Sequence, residues 1–361
     1  MAYVAVKGGP EAIENACNLL NYQVLKGNSC PLDVDQVREQ LYLAVDRIMS
    51  EGGLYAPELA ALAFKQAAGD TFESSFMLRA YRATKPRLAP SLVRSTSKMR
   101  IIRRISSAFK EIPGGQILGP TSDYTLRLLD FELLHDSESR RKAFKEKLLA
   151  DLDPEEELPD SFPRVVDILR RDGLLVDKQS DDDGEPWDIT RRSLEYPAPR
   201  SASMQSLARG ESGGMLLMAY SSIRGYGNVH PTIGELRIGY VPLEVAHPVT
   251  GEPYIVGEVK MTEAEVVAQY MGSDGPAKFS LGYGLCFGQN ELKAISMAIL
   301  DRCMRTAEKT APAEDQEFVL SHIDGIESMG FTNHWKLPHY VDFQSDLDRL
   351  RKTQSLEKED K

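Results

Sequence analysis

The sequence lacks most of the signatures of common chemistry. It has no GxxxxGK[ST] run, which argues against a P-loop that hydrolyses a nucleotide at its phosphates. No HExxH zinc helix occurs. The four cysteines (Cys17, Cys30, Cys286 and Cys303) are scattered without a CxxC pair, which argues against a cysteine-held iron–sulfur centre and fits a reduced, cytoplasmic protein. No apolar run approaches the roughly 20 residues needed to span a bilayer. "MAYVAV" at the start is too short for the core of a secretory signal. A formal net charge of −11 works against a general nucleic-acid or membrane-surface partner, though it leaves room for a local basic pocket.

What is present is a globular chain. Its 361 residues exceed the usual single-core size, and 42% hydrophobic residues suffice for a core. Tyr3–Val6 reads as a strand, Lys7-Gly8-Gly9 as a turn and Pro10 as a helix start, a geometry in which Lys7 and free N–H groups could meet phosphate. Asp33 and Gln36 form a capping-box pattern for a helix ending at Gly52-Gly53, and helices follow over Pro57–Gly69 and Phe72–Thr84. "SDYTLRLLDFELL" is predicted helical from Ser122 or Asp123. Acidic, turn-rich stretches bracket a short helix near Val165–Arg171. Gly234–Val245 and Pro253–Val259 are predicted to pair as strands, Thr262 to start a helix capped with Glu265, and "GYGLCFG" to be a glycine-rich turn before a helix over Asn290–Thr306. The class is α+β. A helical N-terminal layer (1–135) and an acidic linker or insertion (136–195) precede a C-terminal domain (196–361) with a mixed or antiparallel sheet and flanking helices.

Several polar residues are candidates for binding anions. Read as a helix, Met99–Ile112 places Arg100, Arg103, Arg104 and Lys110 on one side and Ile101, Ile105, Phe109 and Ile112 on the other. That face could meet an anion, a subunit or only solvent. Arg224 and His230 flank a glycine-containing loop, while Glu235, Arg237 and Glu258 sit in strand-like segments that could line a ribose-and-phosphate site.

His334 and His339 crowd "FTNHWKLPHYVDFQ" although the chain has only six histidines. Five helical steps leave the rings roughly 140° apart, and five strand steps put them on opposite faces. A turn at Pro338 could fold them together, making half of a metal clamp.

The motifs "AVKGG", "LAVDRIMSEGG", "PGGQILGPTSDYTLRLLDF", "RGYGNVHP", "GYGLCFG" and "KLPHYVDFQ" occur in the order found in the PhnI family of the bacterial carbon–phosphorus lyase system. The resemblance covers about Tyr3–Glu132 and Tyr196–Leu350, with little of it between His135 and Arg192. It implies displacement of adenine from MgATP by an alkylphosphonate, with partner subunits that include a radical iron–sulfur enzyme. It also implies zinc held by His334 and His339 at a subunit interface, with the vacancy filled by a neighbouring subunit, water or substrate; His322 is the in-chain alternative, against its reading as a packed helix residue. Under this resemblance Glu235 or Glu258 would stabilise the ribose cation. Lys7, Arg103, Arg104, Lys110, Arg224, His230 and Arg237 would hold anionic groups. The competing expectation is a scaffold subunit of the same assembly.

Overall fold

A computed structural model describes residues 9–151, 159, 161–176, 185–224, 230–270, 277–306 and 309–359. The Tyr3–Val6 strand and Lys7 lie outside the described residues. In chain order the helices are α1 (Gly9–Leu25), α2 (Val34–Gln40), α3 (Tyr42–Gly52), α4 (Pro57–Gln66), α5 (Thr71–Ala83), α6 (Glu138–Ala150), α7 (Val166–Arg171), α8 (Arg200–Arg209), α9 (Ser212–Arg224), α10 (Glu291–Met304), α11 (Gln316–His322), α12 (Gly325–His334) and α13 (Tyr340–Glu359). The strands are β1 (Arg100–Ile105), β2 (Leu175–Val176), β3 (Thr232–Ala246), β4 (Pro253–Tyr270) and β5 (Lys278–Phe287), so the class is α+β.

The chain divides into two compact units, each assembled from separated segments. The first comprises Met1–Pro86, Pro186–Met218 and Asp315–Lys361. The Asp33 side chain and Gln36 form the capping box of α2 as the sequence requires, and α2–α5 close on a core of Val37, Val45, Ile48, Met49, Ala60, Ala61 and Leu78. Leu41 separates α2 from α3, where the sequence alone reads one helix. Gly53 ends α3 at φ +66°, a left-handed conformation that glycine adopts without steric penalty.

The second unit comprises Arg87–Glu185 and Ala219–Glu314 and carries the sheet, in the order β1-β3-β4-β5-β2. The first three pairings are antiparallel and β2 joins β5 in parallel. On one face α10 lies almost against the backbone. A Cβ on Gly282 would stand 1.9 Å from the Ala298 carbonyl oxygen, and one on Gly284 would stand 2.1 Å from that of Ala294. "GYGLCFG" is therefore mostly strand rather than turn, and its glycines make room for a helix. Leu236, Ile238, Ala264 and Val266 are buried, and Leu236 and Ile238 pair directly with Ala264 and Thr262.

Three further expectations are corrected. The cationic stretch predicted as a helix is strand β1, with a register shift between Ile101 and Arg103. "MTEAEVVAQY" belongs to β4, where Thr262 and Glu265 are strand residues rather than a helix cap. The predicted helix from Ser122 is irregular, with one short turn over Phe131–His135. Short amphipathic runs satisfy both periods locally, and here the long β3–β4 ladder supplies the partners that settle the choice.

Candidate functional site

Two arrangements gather the chemistry of the chain. The first lies on the sheet face opposite α10. Antiparallel register sets Glu235 opposite Glu265, Arg237 opposite Glu263 and Arg104 opposite Arg237. Two of these pairings are like-charged, which is unfavourable across a ladder. Diagonal contacts resolve the conflict. Arg104 Nε donates to Glu235 Oε1 at 2.6 Å, and Arg237 Nη2 donates to Glu235 Oε2 at 3.0 Å. From just before α7, Arg164 donates to Glu265 at 2.7 Å and to Glu263 at 2.9 Å. The hydroxyls of Thr96 and Tyr283 each donate to Glu263 Oε1 at 2.7 Å.

The array is closed to solvent. Arg104 is 0% exposed and Glu235 2%. Arg104 also donates to the carbonyls of Pro113, Gly115 and Pro163, at 2.7, 2.8 and 2.8 Å. Glu235 accepts from Val165 N as well, at 3.2 Å, and Arg237 Nε stands 2.8 Å from its Oε1. Both oxygens of Glu235 are thus occupied within the sheet. Burial pushes the Glu265 carboxyl up to about 7, helped by the charges of Glu263 and Glu235 and opposed by Arg164. Burial also raises the Tyr283 phenol, with Glu263 adding to the shift. It opposes the charge on Arg164, but Glu263 and Glu265 outweigh that effect and hold the guanidinium above its ordinary value.

The remaining sequence candidates are dispersed. Arg103 is 1% exposed and is engaged by the Leu118 carbonyl and Asp123, with Glu291 3.1 Å from its Nε. Glu258 is exposed and pairs with Arg100 at 2.8 Å. Lys110, Arg224 and His230 are exposed, and residues 225–229 between the last two are not described. Sequence reasoning missed Arg164, Glu263, Glu265, Thr96 and Tyr283. The alternation Glu263-Ala264-Glu265-Val266 was the available signal, since it fits a strand with one charged and one apolar face.

The second arrangement is the histidine turn of the first unit. α12 ends at His334, α13 begins at Tyr340, and residues 335–339 connect them. The rings meet edge to face with centroids 4.6 Å apart, and the two Nε2 atoms are 3.0 Å apart. His339 Nδ1 lies 2.6 Å from the Leu337 carbonyl oxygen. A carbonyl only accepts, so Nδ1 carries the proton and Nε2 of the neutral ring presents its lone pair. That is the ligating form of histidine. Two nitrogens bound to one tetrahedral zinc at about 2.0–2.1 Å each would lie about 3.3–3.4 Å apart, so the rings would need to part by only a few tenths of an ångström to share one. No group of three or more His, Cys, Asp or Glu side chains with metal-holding geometry occurs among the described residues. His322 instead places Nδ1 2.6 Å from the Phe318 carbonyl oxygen and packs on the Phe318 ring. Trp335, Leu337, Tyr340 and Phe343 continue from His339 as an exposed apolar groove.

Among the described residues, no helix is long and apolar enough to cross a membrane. A family model for the bacterial phosphonate metabolism protein PhnI matches residues 2–357, running through the acidic middle where the motif resemblance is thin. A C-P lyase subunit protein, HtxH, of Stutzerimonas stutzeri is 55% identical over 98% of this chain and 96% of its own length. The PhnI subunit of alpha-D-ribose 1-methylphosphonate 5-triphosphate synthase from Escherichia coli K12 is 47% identical over 98% of each chain. The subunit of the same name from Rhizobium meliloti 1021 is 46% identical over 97% of this chain and 94% of its own. With a family match across nearly all of its length and three relatives 46–55% identical over at least 97% of it, the chain belongs to the PhnI family.

Proposed function

We propose that this chain is the subunit of a C–P lyase system that displaces adenine from MgATP with an alkylphosphonate such as methylphosphonate, giving alpha-D-ribose 1-methylphosphonate 5-triphosphate. The observation that carries this reading is identity of 46–47%, over nearly the full length of both chains, to two synthase subunits named for that product. The bond broken is C1′–N9, and the phosphonate oxygen forms the new bond to C1′ from the opposite face, which accounts for the α-product. Adenine leaves with the bonding electron pair and takes up a proton. The developing ribose cation needs a carboxylate nearby. Glu235, with both oxygens occupied, is a poor candidate for that role, whereas Glu258, the exposed cations Lys110 and Arg224, and the exposed His230 remain accessible.

His334 and His339 would hold zinc, with the remaining ligands supplied from a partner subunit, water or substrate. Zinc there would supply a Lewis acid for an anionic oxygen, and magnesium enters with ATP. The same reading places the protein in the cytoplasm beside other C–P lyase subunits, including the radical iron–sulfur enzyme. Tyr124, Leu126, Leu128, Leu129, Phe131, Leu133 and Leu134 are each at least 63% exposed, which favours a subunit contact and keeps a scaffold role as the second reading. Chromatography of products from MgATP and methylphosphonate separates the two. Free adenine with the triphosphate still on ribose is expected, whereas ADP and phosphate without adenine would overturn the assignment.

A further inference from the structure

A cavity of about 570 Å³ opens in the first unit, away from the histidine groove's own lining. Its size lies within the range of about 300–1,000 Å³ typical of small-molecule sites. The walls come from α12 and its entry turn, the end of α11, the end of α8 and the segment before it. Tyr196 and Phe331 expose aromatic rings there. Ser206 and Ser321 add hydroxyls, and Asp324 and Glu327 add carboxylates.

The charge of this lining decides what can enter. Arg209 is the single cation among the lining residues, and its Nε already lies 3.4 Å from Asp324 Oδ2. Arg79 fixes the same carboxylate with two hydrogen bonds from Nη1, at 2.9 and 2.8 Å, which orient it. Glu327 is exposed, adding a second negative charge to the wall. A phosphate group would meet two carboxylates and an Arg209 already paired, so an anionic ligand end is disfavoured. A neutral aromatic heterocycle with a diol-bearing sugar fits better. The rings of Tyr196 and Phe331 offer stacking faces, the carboxylates accept from sugar hydroxyls, and serine hydroxyls and backbone groups can reach ring nitrogens. Phe331 lines the cavity and also packs against His334, with ring centroids 6.0 Å apart, so the cavity borders the histidine pair.

We infer that this cavity binds the purine nucleoside end of a nucleotide and leaves its phosphates outside. The inference rests on the adenine-displacement reading and assigns the base and ribose of that substrate to named residues.

The test is binding of adenosine, which lacks phosphates, to the full-length chain by calorimetry, with inorganic triphosphate as the comparison that lacks base and ribose. Ser321→Leu fills the cavity from an exposed position, and Phe331→Ala removes a stacking face. Circular dichroism and thermal melting confirm that both variants fold. Saturable adenosine binding, weakened at least tenfold by each variant while inorganic triphosphate binding changes less than twofold, is the expected result. Unchanged adenosine affinity in both variants, or no adenosine binding to the wild-type chain, overturns the inference. Adenine release by the wild-type complex is scored separately. Release with variants that bind adenosine normally sinks the cavity and spares the reaction. Absence of release with variant-sensitive adenosine binding sinks the reaction and spares the cavity.

Discussion

The sheet array and the histidine turn treat polar groups in opposite ways. In the array, three guanidiniums and three carboxylates lie together within one unit, and nearly every contact is internal to it. In the turn, two imidazoles face each other with no third metal-capable group beside them among the described residues. A balanced buried network is what a sheet needs to bury charge at all, because each uncompensated ion would carry a desolvation penalty of several kcal/mol. A pair of imidazoles alone would not complete a zinc site, so the zinc reading requires further ligands beyond the turn. High charge density in this sheet reflects what burial requires and does not by itself mark a reacting site.

Breaking the array should have the largest effect on stability. Glu235→Gln leaves Arg104 and Arg237 buried without their counter-charge, and a loss of about 3–5 kcal/mol is expected in urea unfolding. A loss below about 1 kcal/mol would mean that the array is not the sealed element its geometry implies. The double change Arg103→Gln with Arg104→Gln belongs to the same class. These side chains are buried on a strand, so the change should unfold the second unit rather than merely weaken anion capture.

The pH dependence of Glu265 comes next. Its folded value of about 7 lies above the ordinary carboxyl value of 4.5, so the folded chain retains a proton that the unfolded chain has released. Stability should fall as pH rises from about 4.5 to about 7, then level off, by a total on the order of 3 kcal/mol. Glu265→Gln, neutral at every pH, should flatten that part of the profile. A profile of the same slope in the variant would assign it to other groups.

The histidines invert the pattern. His334→Ala and His339→Ala should each shift unfolding by less than about 1 kcal/mol, since both lie near the surface, yet each should abolish zinc retention by the assembled complex, read by metal analysis. Wild-type zinc content in both variants would end the clamp reading. The smallest effect is expected at Arg100 and Glu258, a pair that is exposed on both sides. A double-mutant cycle there should give a coupling of about 0.2–1 kcal/mol that weakens with added salt. A larger, salt-insensitive value would show that this edge is covered in the assembly.

Features written within a few residues were legible. The Asp33–Gln36 capping box, the Gly53 stop, the β3–β4 hairpin and the convergence of His334 with His339 each depend on chain geometry over short spans, where local sterics and hydrogen bonding dominate. The missing P-loop and the α+β class belong with them. The tertiary structure alone decided that Arg103 and Arg104 are buried strand residues, that Glu263 and Glu265 face Arg164 across about a hundred residues of chain, and that Gly282 and Gly284 lie under α10. A six-residue run of isoleucines and arginines suits either a helix or a strand until a neighbouring strand offers hydrogen bonds. Whether a charge is solvated or sealed depends on partners that arrive from elsewhere in the chain. That information lies in the pairing of distant segments and in no single stretch of sequence.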